Sequence, residues 1–277
     1  MKYIKLLIIP VMITCIAMLT GFTNNYENGA KIGLDRNWKY SDESVINSGS
    51  AVMYKAKENR KNITVGVNAG HGTKGGTSVK TYCHPDHTAK LTGGSTASGA
   101  VKATAVSSGM VFKDGTGESK AVLKTALMLK DILLANGYDV LMIREGDDVQ
   151  LDNVARTVIC NNAADCHIAI HFDGDGLDYD KGCFYISTPE GLKSKEPVKS
   201  VWQESEELGK NLIEGLRGQG CKIKKTPNMD IDLTQTSYSS IPSVDIELGN
   251  QCTDHSDKNL EKMAQGLARG VDTYFCK

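Results

Sequence analysis

From residue 63 onward, apolar positions either alternate with polar ones or recur at helical spacing. Ile63, Val65 and Val67 form a strand pattern of β-branched residues. It ends in Asn68-Ala69-Gly70-His71-Gly72, where two glycines permit a sharp turn around one histidine. At Glu118 the period changes. Val122, Ala126, Leu129 and Leu133 recur at helical intervals, Leu123, Leu127 and Leu134 widen the stripe, and Asn136-Gly137 is a helix stop. Strand patterns follow over residues 138–144, 166–172, 182–187 and 243–248. Helical patterns cover 151–164, 198–217 and a last stretch that Ser256 can cap, with Leu260, Met263, Ala264, Leu267 and Val271 on its apolar face. Such alternation predicts an α/β fold: a single domain with a mostly parallel central sheet flanked by helices on both faces. Strand order does not follow from it.

Two regions interrupt the pattern. Residues 73–117 are rich in Gly, Thr, Ser and Lys and are too long for a plain connection. They read as a long polar insertion on the surface, with a short hairpin around 101–112. Residues 24–62 are polar and read as a linker. Ahead of them, Lys2 and Lys5 precede an apolar run over 6–19, broken only by Pro10 and Thr14. Residues 1–23 therefore read as a signal peptide or, if uncleaved, an N-terminal membrane anchor. Either implies export to the cell envelope or beyond, and leaves residues 63–277 as the working domain.

Composition narrows the function classes. The chain has 277 residues, 40% hydrophobic and 23% charged, with a formal net charge of −1. It can bury a substantial core, and nothing in its charge calls for a nucleic-acid partner. None of the eight cysteines has CxxC spacing, so no zinc ribbon or thioredoxin motif is indicated. Pairing after export stays open, while Cys166 and Cys183 fall in strand patterns where a small buried hydrophobe also fits.

Candidate chemistry sits where elements begin or end. Glu118 is in the first turn of a helix, where the dipole favours a carboxylate. His171 closes His167-Ile168-Ala169-Ile170-His171; His167 faces the same side about 13 Å away, so only His171 shares a sheet edge with His71. Glu247 ends Val244-Asp245-Ile246-Glu247, with Asp245 on the same side. Taken singly, each has an ordinary structural explanation. Taken together, His71, Glu118 and His171 make the ligand set of a catalytic zinc, which needs three protein ligands and an open position. Zn2+ lowers the pKa of its water to about 7. A free carboxylate nearby, for which Glu247 is the candidate, can take that proton and return it to a leaving amine. Cys83-His84-Pro85-Asp86-His87 offers a second set of ligand types, but Pro85 and the surrounding Gly/Thr tract predict a mobile polar loop.

From residue 63 to the C-terminus the chain resembles the zinc-dependent N-acetylmuramoyl-L-alanine amidases of bacterial cell walls, the amidase-3 group. Four ordered pieces carry the resemblance. Val67-Asn68-Ala69-Gly70-His71-Gly72 is similar to the family's first ligand turn, with Ala69 in place of the usual proline. Gly117-Glu118 and its helix resemble the second ligand segment. Arg156, Asn161-Asn162-Ala163-Ala164-Asp165 and Ile168-Ala169-Ile170-His171 resemble the arginine helix and third ligand strand. Ile241-Pro242-Ser243-Val244-Asp245-Ile246-Glu247-Leu248-Gly249 resembles the segment bearing the catalytic glutamate.

The resemblance implies zinc held by His71, Glu118 and His171, with Glu247 as general base and acid. It also implies cleavage of the amide between N-acetylmuramic acid and the L-alanine of the peptidoglycan stem peptide. Three features depart from the family. The 73–117 insertion is unusually long and could cover the groove or receive a regulatory protein. Asn250-Gln251-Cys252-Thr253 replaces the usual continuation of the catalytic segment. No separate wall-binding repeat is visible. A zinc peptidase cutting within the stem, or a non-catalytic wall-binding or regulatory module on the same fold, are the alternatives.

Overall fold

The computed structural model describes residues 26–276, so the expected signal peptide or anchor over 1–23 lies outside the described residues. Among the described residues, no helix is long and apolar enough to cross a membrane.

Among the described residues, ten strands alternate with five helices. Strands β1 (Lys31–Ile32) and β2 (Ala51–Tyr54) precede β3 (Thr64–Ala69). The insertion carries β4 (Lys80–Tyr82) and β5 (Lys102–Thr104). Then come α1 (Glu118–Ala135), β6 (Asp139–Met142), α2 (Asn153–Ala163), β7 (Cys166–Asp173), β8 (Cys183–Ser187) and α3 (Trp202–Gly218). The chain closes with β9 (Ile223–Asp230), α4 (Thr234–Tyr238), β10 (Ser243–Asn250) and α5 (Asp257–Phe275). Eight strands form one sheet in the order β1-β2-β6-β3-β7-β10-β8-β9. Its centre, β6-β3-β7-β10, is parallel throughout, and antiparallel partners join on either side.

The period-2 pattern of β7 divides the layers. Cys166, Ile168, Ile170 and Phe172 join the large core beneath α1, α3 and α5, together with Leu129, Leu212 and Leu267. His167, Ala169 and His171 take the opposite face, where α2 packs on β3 and β7. Helices thus cover both faces, as the alternation predicts. Gly137, at φ +89, ends α1 in the left-handed conformation expected of a helix stop. Ser256 stands at the N-cap of α5, but its hydroxyl bonds Asp254 instead of the helix backbone.

Three expectations need correction. The stretch read as a linker over 24–62 contributes β1 and β2 to the sheet, and Ile32, Ala51 and Met53 pack in a second core with Leu141 and Leu151. Apolar residues too sparse to show a period there were enough to extend an existing sheet. The hairpin expected around 101–112 does not form: β5 pairs instead with β4, about twenty residues earlier in the chain. Residues 83–87 are not a free polar loop: Cys83 and His84 are buried. No disulfide forms among the described cysteines.

Candidate active site

Three parallel strands set the site. β3 pairs with β7 up to Ala69↔Ile170, and β7 pairs with β10 through Glu247↔His171. Their C-terminal ends form one edge, the position at which open α/β sheets gather ligands. His71 lies just beyond β3, and His171 and Glu247 stand side by side on neighbouring strands. α1 starts above the same edge and brings Glu118 as its first residue.

The result is a compact cluster. His71 Nε2 lies 2.8 Å from Glu118 Oε1, His171 Nδ1 lies 3.1 Å from that oxygen, and the two ring nitrogens are 3.0 Å apart. A tetrahedral zinc with bonds of about 2.0–2.1 Å spaces its ligands roughly 3.3 Å apart. Two imidazoles and one carboxylate at this spacing fit that ion in both chemistry and reach.

The atoms not aimed at the cluster are held from behind. His71 Nδ1 faces the Ser107 carbonyl oxygen at 2.9 Å, which leaves Nε2 free to ligate. Glu118 accepts the backbone N–H of Phe172 on Oε1 at 3.0 Å and that of Met110 on Oε2 at 2.8 Å. Burial alone would raise the Glu118 carboxyl, but hydrogen bonds from His171 and His71 outweigh it and hold the group well below the ordinary carboxylate range. Burial also works against a charge on His171, and Asp245 and Glu118 overcome it, so its pKa rises.

The turn itself is strained and braced. His71 has φ +62, the left-handed region that costs a side-chain-bearing residue energy. At Gly70 a Cβ would sit 2.1 Å from the His171 ring, so only glycine lets that ring lie against the backbone. Two buried arginines clamp the carbonyls of the turn. Arg156 donates to His71 O at 2.6 Å and Ala69 O at 3.2 Å; Arg144 donates to Gly70 O at 2.8 Å and Ala69 O at 3.0 Å.

Glu247 does not join the ligand cluster. Its Oε2 is buried with no hydrogen-bond partner, beside Asp245, whose Oδ1 is likewise unpartnered. Burial, reinforced by the charges of Asp245 and Glu118, pushes the Glu247 carboxyl well above its ordinary value. Both acids and the cluster open into one groove of about 700 Å³. Its opposite wall is the insertion: Lys90, Ser95, Thr96, Thr104 and Ser107 to Met110. The insertion is fastened there by a buried pair, His84 Nε2 and Asp232 Oδ2 at 2.9 Å, with His84 Nδ1 on the Thr88 hydroxyl. The second metal set considered for 83–87 therefore does not assemble: His84 is committed to Asp232, and His87 pairs with Glu43.

All four residues singled out from the sequence thus converge on one groove. His167 is fully buried and lies outside the cluster, as its strand position predicts. The orienting groups in the insertion escaped sequence reasoning because Ser107 and Met110 act through backbone atoms. Arg144 carried a legible signal, a cation closing the apolar run of β6.

The family model described as N-acetylmuramoyl-L-alanine amidase matches residues 65–273. No curated protein matches the sequence. Among solved structures, the fold is similar to that of the N-acetylmuramyl-L-alanine amidase Ami1 from Mycobacterium smegmatis, with TM-score 0.62 and 18% identity over 76% of this chain and 96% of that one. The apo Ami1 from Mycobacterium abscessus aligns with TM-score 0.63 and 21% identity over 76% of this chain and 98% of that one. The CwlD amidase from Clostridioides difficile, solved in complex with the GerS lipoprotein, aligns with TM-score 0.55 and 20% identity over 77% of this chain and 98% of that one.

Proposed function

This chain belongs to the N-acetylmuramoyl-L-alanine amidase family, and from its site we propose a zinc amidase in which His71, Glu118 and His171 hold the metal and Glu247 moves the proton. The observation that carries the reading is the pairing of a three-ligand cluster with a buried, unpartnered carboxylate oxygen in the same groove. A zinc ion held by His71, Glu118 and His171 would supply Lewis acidity to the scissile carbonyl and would make a water acidic near neutral pH.

The chain's own residues do the rest. Glu247, raised by burial and by Asp245, is disposed to accept a proton at Oε2 and to release it to the departing L-alanine nitrogen. Arg144 and Arg156 keep the His71 turn from relaxing. Hydroxyls on the insertion wall, from Ser95, Thr96, Thr104 and Ser108, offer hydrogen bonds to a sugar or peptide lying in the groove. The bond broken is the amide between the lactyl group of N-acetylmuramic acid and the stem peptide.

Work on peptidoglycan requires the enzyme to reach the envelope, and Lys2, Lys5 and the following apolar run supply the export signal or anchor in this reading. CwlD was solved with a lipoprotein partner. By analogy, we place a regulatory protein on the 73–117 insertion, which leaves the groove open yet touches two metal ligands. The test is metal analysis of the purified protein: one zinc per wild-type chain, and loss of both zinc and wall hydrolysis in His171→Ala. Full hydrolysis by metal-free wild type would end the zinc reading.

A further inference from the structure

The two histidines of the cluster present opposite nitrogens to it. His71 offers Nε2 and turns Nδ1 to the Ser107 carbonyl, while His171 offers Nδ1 and turns Nε2 outward. A nitrogen that ligates a metal carries no proton, so the remaining proton of His171 must sit on Nε2. The atom facing Nε2 is Asp245 Oδ2, at 3.7 Å. We propose that Asp245 is a positioning residue: its carboxylate fixes the tautomer and the orientation of His171, and so sets how tightly this chain holds its metal.

The proposal rests on the zinc reading and adds a residue to it. Three observations support it. Asp245 points from β10 to the same face as Glu247, next to the strand that carries His171, so its backbone register fixes its place. Among the described residues its one ion pair is with His171, and no lysine or arginine reaches it. Its other oxygen is buried with no partner, an arrangement that costs stability in a strand where an aliphatic side chain would pack. A carboxylate kept at that cost beside the outward nitrogen of a ligating histidine is the arrangement that orients such rings. From the other side, the Gly70 backbone presses the ring, so Asp245 completes its confinement.

The experiment compares wild type, Asp245→Asn, Asp245→Leu and Glu247→Gln by zinc titration against a competing chelator, and the thermal midpoints of the same proteins after metal removal. Asp245→Leu should bind zinc about 10–100-fold more weakly, with Asp245→Asn in between because its amide oxygen keeps an acceptor opposite Nε2 without the charge. Glu247→Gln should bind zinc like wild type. The metal-free Asp245→Leu protein should melt no lower than metal-free wild type, since a carboxylate with one buried, unpartnered oxygen has been removed. Wild-type zinc affinity in Asp245→Leu would overturn the proposal, as would a lower metal-free midpoint that accounts for the weakened binding by misfolding. Loss of turnover at full zinc affinity would also overturn it, by making Asp245 a partner of Glu247 in proton transfer. Failure of wild type itself to bind zinc would instead overturn the reading of the site.

Discussion

The carbonyl oxygen of Ser107 lies 2.9 Å from Nδ1 of His71. One residue belongs to the insertion, the other to the turn at the end of the sheet, so the insertion does more than cover the groove. It orients His71 through Ser107 and Glu118, the other proposed ligand, through the Met110 N–H, and between them the Gly109 backbone runs against both side chains.

Gly109 is therefore a sensitive point. It has φ +82, and a Cβ there would fall 2.8 Å from Glu118 Oε2 and 2.9 Å from the His71 ring. Gly109→Ala should weaken metal binding about 10–100-fold, the usual consequence of disturbing the groups behind a ligand. Chelator competition measures it. Wild-type affinity in this variant would show that the insertion can shift without disturbing the ligands.

Glu247→Gln keeps the shape of the side chain and removes its capacity to carry a proton. Hydrolysis of purified peptidoglycan should fall about 10²–10⁴-fold, with zinc content unchanged. Comparable wall clearance by the variant and wild type would take Glu247 out of the proton-transfer role.

The clamp on the insertion can be opened separately. His84→Leu takes one partner from the buried Asp232, which keeps the Leu91 N–H and the nearby charge of Lys90, so the cost should be about 1–3 kcal/mol. The loss should be local, seen as faster amide exchange across residues 80–104 before the sheet is affected. Unchanged protection there would mean that other contacts hold the insertion.

Acid sensitivity should trace in part to His167. Burial, aided by the charge of Arg156, pushes its imidazole down to about 3, whereas in an unfolded chain it titrates near 6.5. Between those values the unfolded chain binds more protons, so stability is full above about pH 6.5 and falls as the pH drops toward 3. The slope reaches about 1.4 kcal/mol per pH unit. In chelator, the denaturant midpoint of His167→Leu should fall less between pH 7 and pH 5 than that of wild type. Parallel losses would assign the acid sensitivity elsewhere.

The sequence revealed the parts of this molecule in which one residue type serves one physical purpose. β7 was readable because Ile168 and Ile170 alternate with His167 and Ala169 across a sheet buried on both faces. The His71 turn was readable because glycine flanks a lone histidine. Order and edge then pointed to His71, Glu118, His171 and Glu247 together. β9 was not readable: it is a half-exposed edge strand containing Pro227, where neither burial nor propensity imposes a period. β1 and β2 are short, and α4 is a polar five-residue turn of helix, so no period can develop. The frame around the proposed metal ligands was hidden for another reason. The Ser107 carbonyl and the Met110 amide are present in every residue type, and only the folded insertion brings them to His71 and Glu118.

The central claim is that this groove cuts the bond between glycan and stem. The most direct measurement is mass spectrometry of peptidoglycan digested by the zinc-loaded protein. The account predicts intact stem peptides with a free L-alanine amino terminus, together with glycan chains whose lactyl groups end in free carboxylates. Peptides shortened within the stem, with the lactyl–alanine amide still closed, would contradict it.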